Sequence, residues 1–263
     1  MSTDALRLIN FERFEAWPAL LLRARGNADA RAVHGAEWVL RRKRDGRFLA
    51  TVSAAGSIHR LLPAALAQAR GRTTEAELVA RLRGGHARRP AALALTSVRR
   101  ELARLGVPAG YGPARGLPQV AEPAWLACAG FDRYRRPLWL TPETASAWRR
   151  MRAAAARQGI ALDAISGYRS HAYQLGIFLR KRARGIALAD ILAVNAAPGY
   201  SEHHSGRALD IGTPAEPPAE ESFEATAAFA WLTGHAAGFG FAMSYPRGNP
   251  HGIVHEPWHW CLR

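Results

Sequence analysis

The chain has little cysteine and little lysine. Its two cysteines, Cys128 and Cys261, lie far apart and form no C-x-x-C pair, which argues against a cysteine zinc site or a disulfide framework. Only two of the 36 basic residues are lysine. The sequence has no apolar run of about 18 residues, and its first residues lack the apolar core of a secretory signal. We therefore expect no membrane-spanning helix and no export signal at the N-terminus.

The composition is that of a folded globular protein. With 263 residues, 48% hydrophobic and 22% charged, the chain is long enough for one large or two modest domains. The net charge of +15 is unevenly distributed: residues 1–120 hold 21 basic and 9 acidic residues, and residues 121–263 hold 15 and 12. A basic first half favours a polyanionic neighbour such as nucleic acid, an anionic, phosphate-rich cell-wall polymer or an anionic membrane face, although an arginine-rich composition alone also explains the charge.

One short stretch holds four prolines, at positions 108, 113, 118 and 123, and three glycines, at positions 110, 112 and 116. Such a stretch suits neither a helix nor an inner strand. It predicts a linker over residues 108–124, between an N-terminal domain of residues 1–107 and a C-terminal domain of residues 125–263.

The N-terminal domain is predicted to hold a β-hairpin and helices. Asp45-Gly46 favours a tight turn between strands at 37–43 and 47–53, and Thr74 with Glu77 matches a helix capping box. A further helix ends before Gly106. Arginines on its exposed face are compatible with a winged-helix DNA reader, but the hairpin precedes the helices, and exposed arginines are also ordinary for a solvated helix face. The function of this domain stays unknown at this point, and nucleic acid is an unlikely partner.

The C-terminal domain is predicted to be of the α+β class, with a small antiparallel sheet flanked by helices. Thr141-Pro142 is typical of a helix start, and a helix is expected from there to Gly159. The remaining expected elements are a strand at 160–165, helices at 173–184 and 223–237, and strands at 239–243 and 253–260.

Histidines cluster with carboxylates in two segments of this domain. Seven of the ten histidines follow residue 170, and the two segments are 198–211 and 255–260. Imidazoles with a hard carboxylate are a reasonable zinc shell. Residues 255–259 match H-E-x-x-H, but Pro257 disfavours a helix, so we expect an extended segment that presents Glu256 and His259. Spacing alone does not choose between His203 and His204.

The motifs of this domain resemble those of the VanY-type zinc D-alanyl-D-alanine carboxypeptidases. The similarity rests on SGYRS at 166–170, PGYSEHHSGRALDI at 198–211, GFGFAMSYP at 238–246 and EPWHW at 256–260, and it covers about residues 125–263. The core signature is S-x-H-x-x-G-x-A-x-D followed by E-x-W-H. The chain departs from it in carrying His204, where relatives commonly have glutamine.

The resemblance implies roles for seven residues. It implies one zinc ion bound by His203, Asp210 and His259, and it implies Glu256 as the catalytic carboxylate. It also implies that Arg169 stabilises charge on the substrate, and that Ser201 and Gln174 hold the terminal D-alanine. Whether His204 or His255 joins the zinc shell stays open.

The implied function is hydrolysis of the C-terminal D-Ala-D-Ala bond of peptidoglycan stem peptides, with Glu256 assisting the attack of zinc-activated water. Two alternatives of the same chemistry are a dipeptidase and a lysin-like endopeptidase. An alternative of another class is a DNA-binding regulator with a non-catalytic peptidase-like sensor domain. We expect action at the cell envelope, by an export route that the N-terminus does not encode, or else a cytoplasmic protein.

Overall fold

The computed structural model describes residues 6–24, 26–84 and 90–263, apart from the side chains at positions 29, 96 and 97. The strands are β1 Arg7–Asn10, β2 Phe14–Pro18, β3 Ala36–Arg42, β4 Phe48–Ser53, β5 Ile58–Arg60, β6 Trp125–Phe131, β7 Pro137–Leu140, β8 Asp163–Ser166, β9 Ala208–Gly212, β10 Phe241–Met243 and β11 His259–Leu262. The helices are α1 Asn27–Val33, α2 Pro63–Arg70, α3 Glu75–Arg83, α4 Thr96–Leu105, α5 Tyr111–Ala114, α6 Pro142–Arg157, α7 His171–Ala183, α8 Leu188–Val194 and α9 Ala227–His235. Within the described ranges, no helix is both long and apolar enough to cross a bilayer.

Two antiparallel sheets organise the molecule. The larger has seven strands in the order β5-β4-β3-β2-β1-β6-β7, and the smaller has four in the order β10-β11-β9-β8. Helices pack against both sheets, with α6 against β6 and β7. The predicted α+β class with a small antiparallel sheet is confirmed.

The larger sheet joins the N-terminal region to residues after the predicted linker. The hairpin expected around Asp45-Gly46 is present as β3 and β4, but it lies inside the seven-stranded sheet and is not a separate ribbon. Strand β1 pairs with β6, with Leu8 opposite Leu126. The sequence did not predict β1, although its other neighbour β2 follows closely, because the four residues Arg7–Asn10 show no alternation of apolar and polar side chains.

The stretch predicted as a linker is packed against the rest of the protein. It contains the one-turn helix α5, although no helix was expected there, and Tyr111 in that helix is buried. Pro113 is compatible with α5 because first-turn amides have no intrahelical acceptor to lose. The two-domain division at 107 and 125 stays a prediction, and part of the first domain lies outside the described residues.

Side-chain caps explain where several helices begin. Thr74 and Glu77 form the predicted capping box of α3, and the Thr141 hydroxyl accepts a hydrogen bond from the Thr144 amide at the start of α6. The single helix expected at 223–237 is instead a 3₁₀ turn, helix α9 and a second 3₁₀ turn, because Thr226 caps a new helix at Ala227.

Strand β11 starts later than the sequence indicated. The expected strand at 253–260 is irregular up to residue 258, and the strand begins at His259. The Glu256 carbonyl accepts a hydrogen bond from the His259 amide at 3.1 Å, which closes a turn around Pro257. The interpretation that residues 255–259 are not helical is therefore correct, while the extended conformation was wrong because proline here sits in a turn.

The core is shared between the two sheets. One cluster of buried side chains includes Leu49 of β4, Leu138 of β7, Trp148 of α6, Leu209 of β9 and Phe241 of β10. Trp148 is fully buried. Because both sheets and α6 contribute to this one cluster, the segments at the end of β8, before β9 and before β11 are held in fixed relative positions.

Candidate active site

Strand register brings Asp210 and His259 together. On the smaller sheet, Asp210 of β9 lies directly opposite His259 of β11, while the preceding residue Leu209 points into the core. Directly opposed side chains on neighbouring strands are about 4.5–5.5 Å apart at Cβ, close enough to share a ligand. The His259 Nδ1 and Asp210 Oδ1 atoms are 3.1 Å apart.

His203 reaches the same point from a 3₁₀ turn at Glu202–Ser205. That turn ends at Gly206, whose φ of 69° is in the left-handed region, and a Cβ there would lie 2.5 Å from a Leu126 methyl. Glycine therefore allows the chain to reverse into β9 against the larger sheet. The His203 Nε2 atom lies 3.2 Å from Asp210 Oδ1.

The second nitrogen of each histidine is held by the protein. His203 Nδ1 lies 2.7 Å from the Gly167 carbonyl oxygen, and His259 Nε2 lies 3.0 Å from a Glu202 carboxylate oxygen. Such partners fix the ring orientation and leave the other nitrogen, Nε2 of His203 and Nδ1 of His259, facing Asp210.

Sequence reasoning missed Glu202. Its carboxylate also accepts hydrogen bonds from Ser244 and Arg263, so one side chain joins the 3₁₀ turn to β11. A carboxylate behind a metal-binding histidine is a common arrangement. Its place beside His203 in the sequence gives no sign of this contact, because Glu202 meets His259, 57 residues away.

The three side chains fit a tetrahedral metal ion. Their nearest donor atoms lie within 4.8 Å of one another, and all three residues are buried. Bonds of about 2.0–2.1 Å in a tetrahedron place neighbouring ligand atoms about 3.3 Å apart. The observed separations of 3.2 and 3.1 Å from Asp210 Oδ1 match that spacing.

The electrostatics of this group favour a cation. Burial raises the pKa of Asp210, but His203 and Arg169 outweigh it and hold that pKa well below its usual range. Burial, followed by Arg169, lowers the pKa of His203 and keeps this imidazole neutral. Burial also lowers the pKa of His259, yet hydrogen bonds to Asp210 and Glu202 reverse the shift and raise it. His203 and Asp210 are therefore in the forms that bind a metal, whereas His259 is held as an imidazolium and must release a proton when a metal binds.

Glu256 stands beside these donors. One of its carboxylate oxygens is 3.9 Å from His259 Nδ1, and the side chain is 13% exposed. Burial raises the pKa of Glu256 to about 7. A carboxyl group with such a pKa exchanges a proton readily at neutral pH, which is the property required of a general acid and base.

Arg169 lies on the other side of Asp210. It occupies the loop between β8 and α7, and its Nη2 donates to Asp210 Oδ2 at 2.9 Å. The β8–β9 pairing shifts register between Ala164 and Ser166, just before this loop. Irregular pairing of this kind re-aims the chain next to functional sites.

A buried network supports the Arg169 loop from behind. Glu122 forms an ion pair with Lys43, and its carboxylate accepts hydrogen bonds from the Tyr168 hydroxyl at 2.6 Å and the His171 amide at 2.7 Å. Burial raises the pKa of Glu122, but the charges of Lys43 and His171 outweigh it and keep the group ionised. Residues on both sides of Arg169 are thus tied to Lys43, which follows β3 of the N-terminal region.

The remaining candidate residues are not among the three donors. Both ring nitrogens of His204 contact the backbone, at the Arg169 carbonyl and the Gly199 amide, and His255 contacts Glu224. Ser201 is buried, and Gln174 donates to the Ala196 carbonyl at 2.8 Å. The substrate-binding roles of Ser201 and Gln174 stay predictions.

Comparisons with known proteins assign the family. The family model of VanY, described as D-alanyl-D-alanine carboxypeptidase, matches residues 137–262. A bifunctional D-Ala-D-Ala dipeptidase and D-Ala-D-Ala carboxypeptidase, VanXYC of Enterococcus gallinarum, is 30% identical over 150 residues, covering 54% of this chain and 76% of the relative. This chain belongs to the VanY family.

Two further VanY-type relatives complete the comparison. The YodJ protein of Bacillus subtilis (strain 168), which carries a carboxypeptidase name, is 35% identical over 151 residues, or 54% of this chain and 55% of its own length. This chain thus spans about half the length of that relative. A solved structure of a D,D-pentapeptidase VanY variant in complex with Zn(II) is 26% identical, covers 47% of this chain and 72% of that one, and gives a TM-score of 0.40.

Proposed function

We propose that this VanY family member is a zinc peptidase that removes the terminal D-alanine from peptidoglycan stem peptides ending in D-Ala-D-Ala. The observation that carries the proposal is the convergence of His203, Asp210 and His259, with Glu256 beside His259 and Arg169 beside Asp210. The family match supports the class of bond that is cleaved.

Zinc would be held by His203 Nε2, Asp210 and His259 Nδ1. There it would act as a Lewis acid that lowers the pKa of water and polarises the peptide carbonyl. Glu202 and the Gly167 carbonyl hold the two imidazoles in the required orientation.

Glu256 is proposed to move the proton. Its carboxylate takes a proton from the attacking water and passes it to the amine of the departing D-alanine, so that water adds across the C–N bond. Its partial burial supports this role, because a pKa near 7 allows both acceptance and delivery. Proton transfer by a positioned group contributes about 100- to 10,000-fold to the rate.

Arg169 is proposed to bind negative charge on the substrate. Its side chain is 21% exposed, and its Nη2 is already directed towards the donor cluster by Asp210. A guanidinium offers a rigid set of donors that matches either the terminal carboxylate or the oxyanion formed at the scissile carbonyl.

A dipeptidase activity is the second candidate, because the relative from Enterococcus gallinarum carries both activities in its name. The two activities differ in the product. A carboxypeptidase shortens a pentapeptide by one alanine, whereas a dipeptidase cleaves free D-Ala-D-Ala.

The test is mass spectrometry of a stem pentapeptide ending in D-Ala-D-Ala, incubated with the zinc-loaded protein, and in parallel of free D-Ala-D-Ala. We expect the loss of one alanine from the pentapeptide and a rate at least about 100-fold lower for Glu256→Gln. The variant should bind zinc as the wild type does, because Glu256 is not among the three donors.

Three results would contradict the carboxypeptidase proposal. Cleavage of free D-Ala-D-Ala alone identifies a dipeptidase, and cleavage restricted to cross-linked muropeptides identifies an endopeptidase. Full zinc occupancy with no cleavage of any of these substrates contradicts the peptidase proposal and favours a sensor.

A further inference from the structure

The cleft at the candidate active site has a wall built by the N-terminal strands. This cleft has a volume of about 310 Å³ and is lined by Arg169 and Asp210 together with Trp17 of β2 and Arg41 of β3. The family match begins only at residue 137, so Trp17 and Arg41 lie outside it. The cleft is therefore partly formed by residues that lie outside the family match.

Two tryptophan rings connect this wall to the end of the cleft that Arg169 and Asp210 line. The Arg41 guanidinium lies 5.0 Å from the centre of the Trp17 ring. The centres of the Trp17 and Trp139 rings are 5.2 Å apart, in an edge-to-face arrangement. The Trp139 carbonyl accepts a hydrogen bond from the amide of Tyr168, the neighbour of Arg169. Under the proposed function, a peptide bound at Arg169 and extended along this cleft brings residues upstream of the scissile bond beside these rings.

Arg41 is fixed in place by its neighbours. Glu15 accepts hydrogen bonds from Trp17 Nε1 at 2.8 Å and from Arg41 Nη1 at 3.3 Å, and only 5% of the Glu15 side chain is exposed. Gly46 of the following turn, at a φ of 72°, passes so close that a Cβ would lie 2.7 Å from Arg41 Nη2. A side chain held in this way loses little conformational entropy when it binds a ligand.

Among the cations lining the cleft, Arg41 has the weakest internal ion pair. Arg136 pairs with Asp132 at 2.6 Å, Arg169 with Asp210 at 2.9 Å, and Lys43 is buried against Glu122. The Arg41 side chain is 31% exposed, and the Glu15 contact is the one hydrogen bond of its guanidinium found within the described residues. In the part of the chain that the structure describes, no further hydrogen bond engages its remaining donors.

We infer that Arg41, backed by Trp17, forms a subsite for a free side-chain carboxylate on the peptide, upstream of the scissile bond. The inference rests on the proposed function for the placement of the scissile bond. A guanidinium pairs with a carboxylate through parallel hydrogen bonds, and a carboxamide in the same place provides one acceptor and no charge. The subsite therefore selects peptides whose residue before D-Ala-D-Ala is acidic.

The test uses two peptides that end in D-Ala-D-Ala and differ only in the residue before that dipeptide, glutamate in one and glutamine in the other. Their Kd values are measured by calorimetry on the zinc-loaded Glu256→Gln variant, which removes turnover, and their kcat/KM values are measured on the wild type. We expect the glutamate peptide to bind about 10-fold more tightly or better, in line with a charge-assisted hydrogen bond.

The Arg41→Gln change should reduce that preference to about 1. The ratio of the two Kd values is measured in the Arg41→Gln/Glu256→Gln double variant, and the ratio of the two kcat/KM values in Arg41→Gln alone. Arg47→Gln is the matched control, because Arg47 is an exposed arginine of the same hairpin outside the cleft lining, and it should keep the wild-type preference. Equal Kd values for the two peptides on the Glu256→Gln variant, or an unchanged preference after Arg41→Gln, would overturn the inference.

Failure of the proposed function gives a different result. A Kd preference that disappears with Arg41→Gln, together with no cleavage of either peptide by the wild type, supports the subsite and contradicts the peptidase proposal. Cleavage of both peptides at equal kcat/KM and with equal Kd supports the peptidase and rejects the subsite.

Discussion

The Glu202 carboxylate holds the ring of His259 in its orientation. It contacts His259 on the side away from Asp210, and its other contacts, to Ser244 and Arg263, hold it there. Removing this carboxylate frees the imidazole to rotate and to take the tautomer that carries its proton on Nδ1, the nitrogen that faces Asp210. We therefore expect Glu202 to matter for metal binding although it is not one of the three donors.

The Glu202→Ala change should weaken zinc binding by about 10- to 100-fold, as is usual for partners of metal-binding histidines. Glu202→Gln should lose less, because the amide oxygen still accepts the hydrogen bond from His259. Competition with a chromophoric chelator measures both affinities. Glu221→Ala, which removes an exposed carboxylate paired with Arg247, is the control, and wild-type zinc affinity in Glu202→Ala would contradict the role given to this residue.

At the scale of the elements, a buried ion pair fastens the end of β3 to the segment before β6. Lys43 and Glu122 have side chains that are 1% and 4% exposed, and Glu122 also holds the residues flanking Arg169. A buried carboxylate without its cation is strongly unfavourable, whereas removal of both charges is much less so.

Lys43→Met is expected to lower the free energy of unfolding by about 3–5 kcal/mol, because Glu122 remains buried without its cation. The double variant Lys43→Met/Glu122→Gln should recover a substantial part of that loss. Urea unfolding of the metal-free protein measures both. Arg44→Met, next in the chain and largely exposed, should change stability by less than about 0.5 kcal/mol. A loss in the double variant equal to that in Lys43→Met would mean that the charges are not the cause.

Elements with short-range signals were predicted from the sequence, and long-range contacts between elements were not. Helices α3 and α6 were predicted because their caps, Thr74 and Thr141, are signals within four residues. His203, Asp210, Glu256 and His259 were proposed from motif resemblance, and the structure brings them together. The β1–β6 pairing and the Lys43–Glu122 pair were not predicted, because each is a contact between residues far apart in the chain.

For the whole molecule, the sheet that crosses the predicted linker makes the C-terminal region dependent on the N-terminal strands. Without residues 1–107, β6 loses β1 as its neighbour, and the buried faces of Leu126 and Trp139 lose Leu8 and Trp17. Glu122 also loses Lys43. An unpaired inner edge of this kind is prone to association.

A fragment of residues 108–263 is therefore expected to aggregate or to lack a cooperative thermal transition, as measured by size-exclusion chromatography and circular dichroism. The full chain under the same conditions is the control. A monodisperse fragment that unfolds cooperatively and binds zinc would instead establish residues 125–263 as an independent domain.

The pairing of β1 with β6 also sets an order of events during synthesis. Leu126 follows its partner Leu8 by 118 residues. At about 5–20 residues per second, a ribosome needs roughly 6 to 24 s to add that length of chain. For that interval the edge of β1 that later pairs with β6 has no partner strand. The larger sheet is completed only after β6 and β7 have left the exit tunnel.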